Sequence, residues 1–164
     1  MKLTLILGAA FVYSVIAGSA TAATILFGAT LTGAAERPTP VVTGGTGTAS
    51  LTLDDVSGAW FLTGSFSSLS SNSNAAHIHG PATTSEFASV VVGLTFTNGA
   101  TSGTLSGSGT FTPTQITQLK GGLFYVNIHS ANFSGGEIRG QLVPEPGSLG
   151  LAGLLALGAL RRRR

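Results

Sequence analysis

Along residues 25–32 the apolar side chains fall on every second position: Ile25, Phe27, Ala29 and Leu31 alternate with Leu26, Gly28, Thr30 and Thr32. A strand turns successive side chains to opposite faces, so this stretch reads as half-buried β structure. The pattern recurs down the chain. Ala49, Leu51 and Leu53 mark a second strand, and Trp60, Leu62 and Phe66 a third. Asp54-Asp55-Val56-Ser57-Gly58 between them is turn chemistry, which makes the pair a hairpin. Glu36-Arg37-Pro38-Thr39-Pro40 reads as an exposed, extended turn, because proline disfavours helix at the residue before it.

Residues 67–75 read as a Ser/Asn loop, and 76–79 as a short strand stopped by Gly80-Pro81. The β-branched run 90–96 predicts a central strand. Thr104, Ser106 and Ser108 alternate with Leu105, Gly107 and Gly109 ahead of Phe111. A single helix is predicted over 113–121, with Thr112 as cap, Pro113 in the first turn and Gly121 at the end. Residues 123–129 and 137–143 are the last two strands, joined by the loop 130–136. About eight strands and one short helix predict an all-β domain, antiparallel and sandwich-like or a partly closed barrel. Its expected core includes Phe27, Leu51, Trp60, Val91, Val126, Ile128 and Ile138. Residues 23–143 suffice for one domain, and the chain has no cysteine to staple it.

Both ends read as addresses. Lys2, the apolar residues 3–16 and the small-x-small Ala20-Thr21-Ala22 form a secretory signal peptide, residues 1–22, for signal peptidase to cut after Ala22. An uncleaved anchor is the alternative. At the other end, Pro144-Glu145-Pro146 precedes the apolar residues 148–160, and Arg161, Arg162, Arg163 and Arg164 finish the chain. The prolines exclude a helix across the motif and suit one after it. That apolar run has 13 residues, against roughly 20 for a comfortable bilayer span. Snorkelling arginines and local thinning close part of the gap, and the arginines hold the C-terminus in the cytoplasm. A core helix ending in a solvated charge run is the bland alternative.

The addresses also account for the basic pI of 9.5. Lys2 and the four terminal arginines lie outside residues 23–143, where Arg37, Lys120 and Arg139 face Glu36, Asp54, Asp55, Glu86 and Glu137, a formal charge of −2. A nucleic-acid partner needs a clustered basic face, and this segment has none.

The Pro-Glu-Pro tripeptide, short apolar helix and arginine cluster resemble a PEP-CTERM sorting signal over residues 144–164. The resemblance implies a bacterial exported protein, anchored transiently in the inner membrane as a transmembrane helix and cut near Pro-Glu-Pro by an exosortase. Its destination would then be the cell envelope, cell surface or extracellular space. Between the addresses, three segments resemble the CHRD domain: Ala75-Ala76-His77-Ile78-His79-Gly80-Pro81-Ala82, Phe124-Tyr125-Val126-Asn127-Ile128-His129-Ser130 and Gly135-Gly136-Glu137-Ile138-Arg139-Gly140-Gln141-Leu142. Leu31-Thr32-Gly33 with Glu36-Arg37-Pro38 fits the family's opening, so the match spans residues 26–142. It implies a secreted module with no general enzymatic activity. Expected partners are signal peptidase, the exosortase, and extracellular polysaccharide or other envelope proteins of a biofilm matrix.

Strand alternation puts His77 and His79 on one face; Tyr125, Asn127 and His129 on another; and Glu137, Arg139 and Gln141 on a third. If those faces coincide, all three histidines of the chain meet in one polar cluster. Two readings follow. In the leading one the cluster is a hydrogen-bonded network, with Glu137 paired to Arg139, and Asn127 and the imidazoles fixing the Gly80-Pro81 and 130–136 turns. In the other, His77 and His79, ~6–7 Å apart along the strand, share a metal ion. His129 is then the third ligand, and Glu137 a fourth or a support behind them. Zinc or copper suits such a site.

The function expected is therefore a non-enzymatic structural or binding module without a cofactor. The alternative is a zinc or copper protein or metalloenzyme on the three histidines. A likeness to Cu/Zn superoxide dismutase is poor, since that family needs more histidines, a metal-binding Asp and a disulfide. There is no G-x-S-x-G elbow. Asp54-Asp55 reads as a solvated turn, Gly44-Gly45-Thr46-Gly47 lacks a phosphate-loop lysine, and Trp60 reads as core.

Overall fold

The computed structural model describes residues 22–147. Residues 1–21, where a signal peptide is expected, and residues 148–164, with the apolar tail and the terminal arginines, lie outside the described residues. Ten strands and one α-helix follow in order: β1 (Thr24–Thr32), β2 (Thr46–Asp54), β3 (Ala59–Ser67), β4 (Ser73–His79), β5 (Val90–Gly93), β6 (Thr95–Phe96), β7 (Gly103–Thr110), α1 (Pro113–Lys120), β8 (Tyr125–Ser130), β9 (Ile138–Gln141) and β10 (Val143–Pro144). All pair antiparallel in a single sheet, ordered β5-β4-β8-β9-β1-β2-β3-β7-β6, with β10 added to β1.

The alternating pattern works as expected in β1, β2 and β3. Phe27 pairs with Leu51, and Leu51 with Leu62, so their side chains stack on one inward face, all of them fully buried. Trp60 is core, its ring stacked 5.0 Å from Phe111. Val126, Ile128 and Ile138 close the same interior from β8 and β9. The α1 helix starts where expected. Thr112 accepts from the Gln115 N–H while the Gln115 side chain accepts from the Thr112 N–H, a reciprocal capping box.

The run 90–96 is not a central strand. It splits at Leu94 into two short edge strands: β5 pairs with β4, and β6 pairs with β7 at the opposite end of the sheet. Leu94 points into the core and donates its N–H to Ala76, so one segment joins both ends and nearly closes the sheet into a barrel. Val91 is accordingly only half-buried, and Val90 is exposed. β-branched residues fit a pleated surface wherever it lies, and do not report central position. The loop after β3 is also shorter than the Ser/Asn composition suggests. β4 begins at Ser73, whose hydroxyl donates to Thr97 and whose backbone exchanges bonds with Gly99 and Ala100.

The Pro-rich turn departs further from expectation. A single turn of 3-10 helix (Gly33–Ala35) swings the chain inward, and Gly33 accepts the N–H groups of Glu36 and Val41. Glu36 is thereby buried, 3% exposed, instead of facing solvent. Between β9 and β1 the backbones approach so closely that a Cβ at Gly140 would strike the Thr30 carbonyl. On its other edge β9 pairs with β8, which lays the polar side chains of β9 beside those of the β4–β8 pair.

Candidate functional site

Register decides which of the polar faces meet. In the β4–β8–β9 ladder, His77 pairs with Asn127 and Asn127 with Arg139, while His79 pairs with Tyr125 and Tyr125 with Gln141. His129 lies opposite Ala75, two residues from His77. The three faces therefore coincide, as the alternation suggested. One ring nitrogen from each of His77, His79 and His129 lies within 4.8 Å of the others. His79 and His129 are each 8% exposed, and His77 is half-buried beside the edge strand β5.

Backbone carbonyls fix two of the three rings. His79 Nδ1 lies 3.0 Å from the Ala88 carbonyl, and His129 Nδ1 lies 2.9 Å from the Ser134 carbonyl. A carbonyl only accepts, so both Nδ1 atoms carry the proton and both Nε2 atoms are bare lone pairs. His129 Nε2 is 3.1 Å from His77 Nδ1. His79 Nε2 is buried and has no hydrogen-bond partner. Burial pushes all three imidazoles below their ordinary pKa, so they are neutral around pH 7. Neighbouring imidazoles and Arg139 push His79 the same way, and its bond to Ala88 opposes them.

The carbonyl that holds His79 is itself held. The Tyr125 ring stacks on His79 at 5.1 Å and 8°, and its hydroxyl accepts the Ala88 N–H. Arg139 lies over the same ring, 3.5 Å from its centroid, and donates to the Glu86 and Thr83 carbonyls and to Gln141. Gln141 donates to the Ala82 and Gly122 carbonyls. Arg139 and Gln141 thus tie down the segment 82–88 that ends in the carbonyl on His79. The 130–136 loop is tied to the same cluster through Ser134 and His129.

Glu137 does not join this cluster. It neither pairs with Arg139 nor reaches the histidines. Its carboxylate accepts from the Thr43 and Ser130 hydroxyls and the Ser70 N–H. The chain leaves Gly136 at a φ of +128° and β9 begins only at Ile138, so strand alternation does not extend back to Glu137. Burial alone would raise its pKa, but the three hydrogen-bonding groups outweigh it and hold the carboxyl below its ordinary value.

Glu36 takes the place beside the cluster that Glu137 was expected to fill. Asn127 donates to one of its oxygens at 3.4 Å, while Glu36 Oε1 and Asn127 Oδ1 are buried without partners. Burial raises the Glu36 pKa to about 7 despite the opposing charge of Arg139. Its sequence setting, just ahead of Pro38 and Pro40, hid it. Tyr125 was legible only as a face-mate of the histidines, and the Ala88 and Ser134 carbonyls left no signal, since any residue supplies one.

Pro144 and its neighbours sit on the domain. Pro144 pairs with Phe27, and Glu145 donates its N–H to Leu26. Among the described residues no helix is long and apolar enough to cross a membrane.

The comparisons with known proteins agree with the two halves of the chain. The CHRD domain profile matches residues 27–142, and the PEP-CTERM protein-sorting motif matches residues 142–164. No curated protein and no solved structure matches. The sorting motif makes the protein an exported exosortase substrate, anchored transiently in the membrane. A CHRD match over most of the chain, continuous with that signal, makes it a member of the CHRD-domain family.

Proposed function

We propose that this exported CHRD domain is a non-enzymatic binding module of the cell envelope or extracellular matrix, and that what it binds is a transition-metal ion, zinc or copper, on His77, His79 and His129. The observation that carries this reading is the buried, bare and unpartnered Nε2 of His79. A purely hydrogen-bonded cluster can satisfy His77 and His129 through their mutual contact, yet it leaves that lone pair stranded, at a cost. A metal ion uses it.

The rest of the cluster suits the same ligand. The carbonyls on both Nδ1 atoms fix tautomer and ring orientation as second partners of metal-bound histidines do. Zinc at 2.0–2.1 Å from each nitrogen in tetrahedral geometry sets them about 3.3 Å apart. The His77–His129 pair, at 3.1 Å, already meets that spacing, and from 4.8 Å the third nitrogen closes by about 1.5 Å at most, within reach of ring rotation. Neutral imidazoles are the form that binds a metal ion.

Titration of the metal-stripped protein with zinc and with copper tests this. One ion per chain that survives dialysis, and is lost in His77→Ala, is expected. A folded protein that retains neither metal stoichiometrically would leave the hydrogen-bonded network as the whole account of the cluster.

A further inference from the structure

Away from the histidines, β1, β2, β3 and β7 carry no lysine or arginine, and their outward face is dominated by hydroxyl side chains. Most of its exposed positions are threonine and serine in cross-strand register, and Leu26, 38% exposed, shares the row Leu26-Thr52-Phe61-Ser108 with an exposed phenylalanine. Thr30, Thr48, Ser65 and Thr104 form one row, directly paired across four strands. Ser50, Thr63 and Ser106 form the next. Within this field Phe61 stands 54% exposed, flanked by strands on both sides. The acidic groups of this face are Asp54, at the end of β2, and Glu145, whose carboxylate lies where a side chain on Gly28 of β1 would be.

Strand propensity explains threonine at any one of these positions. It does not explain why lysine and arginine are missing from a face this broad, nor why Phe61 and Leu26 are left exposed in one row of it. Neighbouring strands set the hydroxyls ~4.8 Å apart across a row, and alternate residues ~6.8 Å apart along a strand. Each hydroxyl both donates and accepts. The result is a rigid lattice of hydroxyl groups without cationic side chains, carrying an apolar row of Leu26 and Phe61, built on paired strands whose positions are fixed by the core beneath.

We infer that this face is a binding surface for a neutral polysaccharide. Such a polymer repeats hydroxyl donors and acceptors at sugar-ring intervals and presents an apolar ring face that suits an exposed phenyl group. The face offers carboxylates and no lysine or arginine, which favours a neutral chain over an acidic one. Each contact is weak and solvent-exposed, so affinity arises from many contacts along one chain. The surface is separate from the histidine cluster and does not depend on metal.

Co-sedimentation of the full chain, purified in mild detergent, with microcrystalline cellulose, chitin and an insoluble β-1,3-glucan tests the proposal, with soluble alginate as an acidic competitor. Retention on at least one neutral polymer, unaffected by alginate, is expected. Phe61→Ala and Thr63→Lys should each lower the bound fraction at least about 10-fold while leaving the unfolding midpoint near wild type, and His77→Ala should bind like wild type. No retention on any neutral polymer by the folded chain would overturn it. So would equal retention of the Phe61 and Thr63 variants, or displacement by alginate alone.

Discussion

The guanidinium of Arg139 lies 3.5 Å over the ring of Tyr125, and Tyr125 stacks in turn on His79. Strand order β4-β8-β9 sets the tyrosine between the other two. A buried cation, which strand alternation alone would have paired with Glu137, is instead held by carbonyls, a π face and the nearby Glu36.

Replacing Arg139 should therefore disturb both fold and site. Arg139→Ala strands the Glu86 and Thr83 carbonyls, and at least about 2 kcal/mol of stability should be lost. Arg139→Lys should not restore it, because a single ammonium cannot span the same acceptors and stack as well. Urea unfolding of the metal-free variants measures the first effect. Metal affinity should also fall about 10-fold, through the loosened Ala88 carbonyl, and a metal titration of Arg139→Lys reads that.

The histidines separate two kinds of loss. Without metal, His129→Ala should cost about 1–3 kcal/mol, since the Ser134 carbonyl loses its donor. With zinc or copper present at about 100 times Kd, the wild type should gain about 2.7 kcal/mol that the variant does not. Melting curves with and without chelator check this. Equal chelator sensitivity in wild type and variant would place the metal elsewhere.

Acid and base act on the cluster in opposite directions. The folded chain holds the Glu36 proton up to a pH of about 7, whereas the unfolded chain releases it near 4.5. That contribution is complete below pH 4.5 and fades as the pH rises to about 7. The histidines have depressed pKa values, so their contribution is present above 6.5 and is lost as the pH falls. Glu36→Gln should gain on the wild type between about pH 5 and pH 8, by at most about 3 kcal/mol. Denaturant midpoints at those two pH values are the measurement. A constant difference would mean Glu36 ionises as freely in the fold as outside it.

Sorting should be separable from folding. Replacing Arg161 to Arg164, or Pro144-Glu145-Pro146, should impair processing in the native host, seen as a longer species on an immunoblot. Only the second change touches the described fold, where Pro144 offers no N–H and Glu145 binds Leu26 through its backbone. The melting temperature of both variants should stay within about 5 °C of wild type. Normal processing of both would reduce the tail to a passive anchor.

Much of this protein was set by local sequence. Alternation in β1, β2 and β3 dictated strands, because period two admits no other regular structure with one dry face. Thr112, Pro113 and Gly121 marked the helix ends, since caps act within a few residues. The same short-range rule put His77 beside His79 and Asn127 beside His129 on their strands.

What joined those strands was beyond local reach. The approach of β9 to β1 over Gly140, and the closure of the sheet by Leu94, depend on pairings between residues far apart in the chain. Register then carried His129 to His77 and left Glu137 with Thr43, Ser70 and Ser130. It also buried Glu36, where the following Pro38 and Pro40 favour an extended chain but say nothing about which side of it faces water. Propensity and spacing fix the conformation of a segment. Burial, tautomer and partner are fixed only when a second segment arrives, and here the carbonyls of Ala88 and Ser134 decided them.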